Sequence, residues 1–188
     1  MPTELESKLR VASHEPVREK LRAASAAYVG RVLETNRILD DDDGRLLTSG
    51  CGLRIRRIQV LDGRGPKPTV TFKGPKTAAK FKQREEWETE VDDADAMTHI
   101  LAALGFKDRI LFEKRRETWK LGECTVELDD VAQLGLFVEV EGPTEESIDA
   151  VLALVGLDGG SPIHDSYIAM LMNGENITPG EVREFRFG

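Results

Sequence analysis

The chain has 188 residues, enough for one domain with a sizeable core. Its formal charge of -8 argues against broad nucleic-acid binding. No apolar run is long enough to span a bilayer, and the N-terminus lacks the apolar core of a secretion signal, so a cytoplasmic setting is expected. Cys51 and Cys124 lie far apart without metal-ligand spacing and read as reduced thiols.

In chain order, the first predicted strand covers about residues 4–11. Side chains alternate along a strand, so Glu4, Glu6 and Lys8 share one face, a group suited to a divalent cation held beside an anion. A helix is predicted over about 16–28, with Pro16 in its first turn and Val17, Leu21, Ala24 and Tyr28 at helical spacing. Strand two is about 31–39, followed by the acidic run Asp40-Asp41-Asp42-Asp43 as a solvated turn and a short helical turn at 45–49. Strand three is 53–60, a hairpin loop spans 62–66, strand four is 69–73 and strand five about 84–91. Asp92 or Asp93 can cap a helix reaching Leu104, closed by Gly105. Strands six, seven and eight are about 110–120, 124–129 and 136–141. Pro143 opens a third helix ending at Gly156, and Ser161-Pro162 starts a fourth that reaches about Met172. Residues 173–188 show no clear period and read as a loosely held tail.

One face of every strand is charged or polar. After Glu4, Glu6 and Lys8 come Glu34 and Asn36, then Arg54 and Arg56, then Thr71 and Lys73, then Arg84, Glu86, Glu88 and Glu90. Lys114, Arg116 and Thr118 follow, then Glu127 and Asp129, then Glu139 and Glu141. The opposite faces carry Leu53, Ile55, Val70, Phe72, Trp87, Trp119, Val126, Leu128, Val138 and Val140, which suit packing beneath helices. Two architectures satisfy this pattern. One is a flat antiparallel sheet with a wet outer face. The other is an eight-stranded barrel whose charged faces line a tunnel. In a tunnel the bases suit phosphate oxygens and the carboxylates suit Mg²⁺ or Mn²⁺.

Several segments together resemble the CYTH superfamily, the triphosphate tunnel metalloenzymes that include class IV adenylate cyclases and thiamine triphosphatases. They are Glu4-x-Glu6-x-Lys8, Leu53-Arg54-Ile55-Arg56, Lys73-Gly74-Pro75, Arg84-x-Glu86-x-Glu88, Lys114-x-Arg116, Leu128-Asp129-Asp130-Val131, Leu134-Gly135-x-Phe137-Val138-Glu139-Val140-Glu141 and Ser166-Tyr167. Where the family often carries an aromatic residue before its Asp, this chain has Arg37-Ile38-Leu39-Asp40. The resemblance implies an α+β fold, a closed eight-stranded antiparallel tunnel with helices outside, over residues 1–172, with 173–188 as a C-terminal tail. It also implies Mg²⁺ or Mn²⁺ dependence and a triphosphate-bearing substrate.

On that basis Lys8, Arg54, Arg56, Lys73, Arg84, Lys114 and Arg116 are the expected triphosphate ligands. Glu4, Glu6, Asp129, Glu139 and Glu141 are the expected metal ligands, with Lys8, Glu4 and Glu6 at the reacting centre. Glu86, Glu88 and Glu127 are further candidates as metal, water or arginine partners. The expected activity is hydrolysis of inorganic triphosphate, thiamine triphosphate or a nucleoside triphosphate by a monomer or homodimer without nucleic-acid or membrane partners. The alternatives are a class IV adenylate cyclase, which makes cyclic AMP and pyrophosphate, and a non-catalytic polyphosphate- or nucleotide-binding module. Trp87 and Trp119 are expected as packing anchors, and Arg57, Arg115, Glu85 and Glu117 as surface ion-pair partners.

Overall fold

Strands with one charged and one apolar face cannot hide both faces in a flat layer, and this chain resolves the conflict by curling. The computed structural model describes residues 3–60, 66–75, 82–175, 177–178 and 180–188, with residues 3–4 and 82–84 described by backbone alone. The hairpin loop expected at 62–66 therefore lies almost wholly outside the described residues. The strands are β1 (Thr3–Arg10), β2 (Ala27–Asp40), β3 (Gly52–Val60), β4 (Thr69–Lys73), β5 (Lys82–Glu90), β6 (Lys107–Leu121), β7 (Cys124–Val131), β8 (Gly135–Gly142) and β9 (Arg183–Phe185). They hydrogen-bond in the order β2-β3-β4-β5-β1-β8-β7-β6, and β2 also pairs with β6, which closes the circuit. All eight pairings of that circuit are antiparallel. The tunnel architecture is therefore the observed one, and closure removes the free edges that an open sheet would leave.

The helices are α1 (Glu15–Ala23), α2 (Arg45–Thr48), α3 (Ala94–Ala103), α4 (Glu145–Val155) and α5 (Tyr167–Met172). The outer strand faces bury two apolar clusters. Leu9, Trp119, Val126, Leu128, Val138 and Val140 pack with Val17 and Leu21 of α1 and with Ile148, Val151, Leu152 and Val155 of α4. Leu39, Leu53 and Ile55 pack with Ala94 of α3, whose first turn is capped by the Asp93 carboxylate accepting from the Asp95 and Ala96 N–H groups at 2.8 and 3.0 Å. Among the described residues no helix is long and apolar enough to cross a membrane.

A third cluster lies inside the barrel. Ile38, Ile110, Phe112, Val131 and Phe137 share strand parity with the charged interior residues, and they pack with Tyr167 and Met172 of α5. The interior is thus charged along most of its length and apolar at the end where α5 inserts.

Four expectations are corrected. The first helix ends at Ala23 rather than near Tyr28, because Ser25 takes a left-handed φ of 56° and Ala26 N–H returns to the Leu21 carbonyl at 2.9 Å. The helix expected from Ser161 begins only at Tyr167. Ser166 is extended and its hydroxyl caps Ala169 N–H at 3.2 Å, while the preceding segment bonds to β1 through Ile163 N–H and the Lys8 carbonyl at 2.7 Å. The C-terminal residues are held rather than loose, since β9 runs parallel to β6 and the Glu113 carboxylate accepts from Phe187 N–H at 3.0 Å. Trp87 is 58% exposed on the outer face beside Phe72, its partner across β4 and β5, so it is not a packing anchor.

Candidate active site

Strand closure brings six of the seven expected basic side chains into one cavity of about 960 Å³: Lys8, Arg54, Arg56, Lys73, Lys114 and Arg116. Six of the expected carboxylates line the same space: Glu6, Glu86, Glu88, Glu127, Glu139 and Glu141. The side chains of Glu4 and Arg84 lie outside the described residues; their backbones are register partners on β1 and β5.

Two carboxylates form the foundation of the basic wall. Glu34 of β2 is 2% exposed and sits among Arg56 (3.3 Å), Lys114 (3.4 Å) and Arg116 (3.9 Å). Burial alone would raise the Glu34 carboxyl, but Lys114, Arg56 and Arg116 outweigh it and hold the group well below the usual carboxylate range. Asp129 is fully buried beneath the lining. It accepts from Arg116 through both oxygens (2.7 and 2.6 Å), from Lys114 at 3.1 Å and from the Tyr167 hydroxyl at 3.0 Å. Its position makes it the anchor of the bases.

The bases are not fully compensated. Arg54 reaches Glu88 at 3.4 Å and Glu86 at 3.8 Å, yet its Nε is buried without a hydrogen-bond partner. Burial and the charge of neighbouring Arg56 pull Arg54 down to about 10, so an added anion at this wall is favoured. Arg56 donates from Nε to Asn36 Oδ1 at 3.1 Å. Lys73 pairs with Glu86, and Thr71 donates its hydroxyl to Glu88 at 2.6 Å.

The carboxylates crowd one another across the ladder. Glu6 lies opposite Glu141 and Glu127 opposite Glu139. Burial, and next the Glu6 charge, push the Glu141 carboxyl up. Burial pushes Glu127 up to about 7 despite its ion pair with Arg116. Lys8 is 2% exposed and bridges the two sets, 3.1 Å from Glu139 and 3.6 Å from Glu6. Burial lowers its ammonium, but Glu139 and Glu6 more than reverse this and leave it raised.

This donor set fits a hard divalent cation. It is all carboxylate oxygen, and a cation held by Glu6 and Glu141 would offset both the burial and the Glu6 charge that raise Glu141. Among the described residues no three acidic, His or Cys side chains are already gathered at ligand spacing.

The sequence pattern placed Glu34 on the inward face but not its role, which depends on the β2–β6 pairing that sets Glu34 opposite Lys114. Of the expected surface pairs, Arg57 with Asp95 (2.5 Å) and Arg115 with Asp130 (3.5 Å) are indeed peripheral. Glu117 is instead 7% exposed under α1, where Arg18 Nε and Trp119 Nε1 donate to it at 3.1 and 2.8 Å.

Comparisons with known proteins agree with this geometry. The chain is 32% identical over 138 residues to "Putative adenylate cyclase MJ0240" of Methanocaldococcus jannaschii, covering 73% of this chain and 75% of that protein. It resembles the solved PH1012 protein of Pyrococcus horikoshii OT3 at 27% identity and a TM-score of 0.75, covering 88% of this chain and 97% of the other. The PH1819 protein of the same organism gives 25% identity and a TM-score of 0.77, with 90% and 98% covered. The CYTH domain model matches residues 2–154, and together with the closed tunnel this shows that the chain belongs to the CYTH family.

Proposed function

We propose that the protein hydrolyses a small triphosphate-bearing substrate inside the barrel, with Mg²⁺ or Mn²⁺ as cofactor. The observation that carries this reading is the shared cavity: a basic wall with a buried, unpartnered Arg54 Nε faces a wall of crowded carboxylates. A metal–triphosphate complex matches both walls at once.

In this reading Arg54, Arg56, Lys73, Lys114 and Arg116, with Arg84, hold the triphosphate oxygens. Glu34 and Asp129 fix the bases from beneath, so little reorganisation is needed when substrate charge develops. Lys8 sits between the walls and stabilises charge at the terminal phosphoryl group. Glu6, Glu139 and Glu141, with Glu4, are the residues that would hold the cation, while Glu127 contributes as the carboxylate partner of Arg116. When bound, the cation offsets charge on phosphoryl oxygens and makes water a better nucleophile. Water oxygen bonds to the terminal phosphorus and gives up its proton to solvent, the bridging P–O bond breaks, and the basic wall receives the leaving oxyanion.

The relative named as an adenylate cyclase favours a second reading, in which a ribose hydroxyl attacks the α-phosphorus of ATP in the same cavity. Product analysis separates the two. We expect orthophosphate from inorganic triphosphate or ATP in the presence of Mg²⁺ or Mn²⁺, and none with a chelator. Cyclic AMP with pyrophosphate would replace hydrolysis by cyclisation, and absence of turnover on every triphosphate would contradict both.

A further inference from the structure

Tyr167 touches both Lys8 and the foundation of the basic wall, and it comes from the opposite end of the chain. It opens α5, is 8% exposed and lines the charged cavity where the apolar end begins. Its ring is fixed edge-on against Phe137, with centroids 5.1 Å apart and planes at 68°. The Lys8 ammonium lies 4.1 Å from the centroid of that ring, and the Lys114 ammonium lies 5.5 Å from it. The hydroxyl donates to Asp129 at 3.0 Å, the carboxylate that also holds Lys114 and Arg116.

The same C-terminal segment grips Lys8 twice more. Its backbone carbonyl accepts from Ile163 N–H at 2.7 Å, and its ammonium donates to the Asp165 carbonyl at 3.2 Å. A lysine stem is flexible, and Lys8 stands within reach of both Glu6 and Glu139. A ring face beneath the ammonium restricts where it can settle, at an attraction that grows as water is excluded. The hydroxyl meanwhile gives buried Asp129 a neutral donor in addition to its two cationic ones.

We propose that Tyr167 is a positioning residue for the reaction centre: its ring places the Lys8 ammonium for contact with the substrate phosphates. This rests on the reading of the cavity as a triphosphate site. The ring and the hydroxyl have separable effects. Removing the ring releases Lys8, whereas removing only the hydroxyl leaves Lys8 in place and takes one donor from Asp129.

The test is binding of inorganic triphosphate to the full chain by calorimetry in the presence of chelator, which needs neither turnover nor metal. Thermal unfolding of each variant checks that it is folded. Tyr167→Met, which keeps bulk without a ring, is expected to weaken binding about tenfold. Tyr167→Phe is expected to stay within about threefold of the parent, as it keeps the ring. In a Lys8→Ala background Tyr167→Met should cost nothing further, because the two residues act as one unit. Equal losses for Met and Phe, or an undiminished Met effect without Lys8, would overturn the proposal. Should the Met variant fail to fold, a tenfold loss in Tyr167→Phe overturns it alone. Failure of the parent protein to bind triphosphate would instead overturn the cavity assignment, and this inference with it.

Discussion

Arg56 and Arg57 are adjacent in the chain and opposite in consequence. Arg56 points inward, donates to Asn36 and stands 3.3 Å from Glu34, while Arg57 points outward to the exposed Asp95. Exposed ion pairs contribute little, whereas a buried guanidinium aimed at a triphosphate makes charge-assisted bonds. Arg56→Ala should therefore raise KM for the triphosphate by about tenfold or more, and Arg57→Ala should leave it within about twofold. Steady-state kinetics on the two variants decides this, and the reverse order would mean that the inward face of β3 has been misassigned.

At the scale of elements, helix docking is as demanding as the interior. Gly142 ends β8 where α4 crosses it, and a Cβ there would sit 2.7 Å from Cys124 Sγ, 2.9 Å from Ser147 Oγ and 3.1 Å from Ile148 Cγ1. Two of those neighbours belong to the first turn of α4, which its Thr144 cap holds in place through Ser147 N–H at 3.2 Å. Gly142→Ala should destabilise by about 1–3 kcal/mol, read as a lower unfolding midpoint in denaturant with unchanged slope. An unchanged midpoint would show that α4 yields freely.

Strand elements were the most legible part of the sequence, because a period of two needs no knowledge of neighbours. Glu139 and Glu141 could be set against Val138 and Val140 from alternation alone, and the structure keeps that division. The same reading stopped at the apolar end of the interior. Ile38, Phe112 and Phe137 carry the inward parity, but only the insertion of α5 shows why those positions are dry. The helix end at Ser25 rests on a left-handed φ that no glycine or asparagine announces, and the start after Ser166 on an extended conformation that many residues could adopt. The role of Tyr167 depends on a lysine at the far end of the chain, and the exposure of Trp87 on where helices do not lie. Neither of these last two is a local property.

At the scale of the whole molecule, a chain of net charge -8 keeps a dense set of cations inside itself. Buried bases of this kind require ionised carboxylates beneath them, and Glu34 is the one held furthest below its ordinary range. A depressed carboxyl stabilises the folded state above its unfolded pKa of about 4.3, and that stabilisation is lost as pH falls through the folded value. The thermal midpoint should thus hold near neutrality and drop as the pH is lowered below about 4. Glu34→Gln should be less stable at neutral pH and show a shallower acid decline. An acid decline of the same steepness in parent and variant would move the linkage to another group.

The most direct test is a crystal structure of the protein with a non-hydrolysable triphosphate and Mg²⁺. The phosphate chain is expected against Arg54, Arg56, Lys114 and Arg116, with the cation between it and Glu6, Glu139 and Glu141. A triphosphate bound only on the outer surface, with the barrel interior free of both, would contradict the tunnel as the active site.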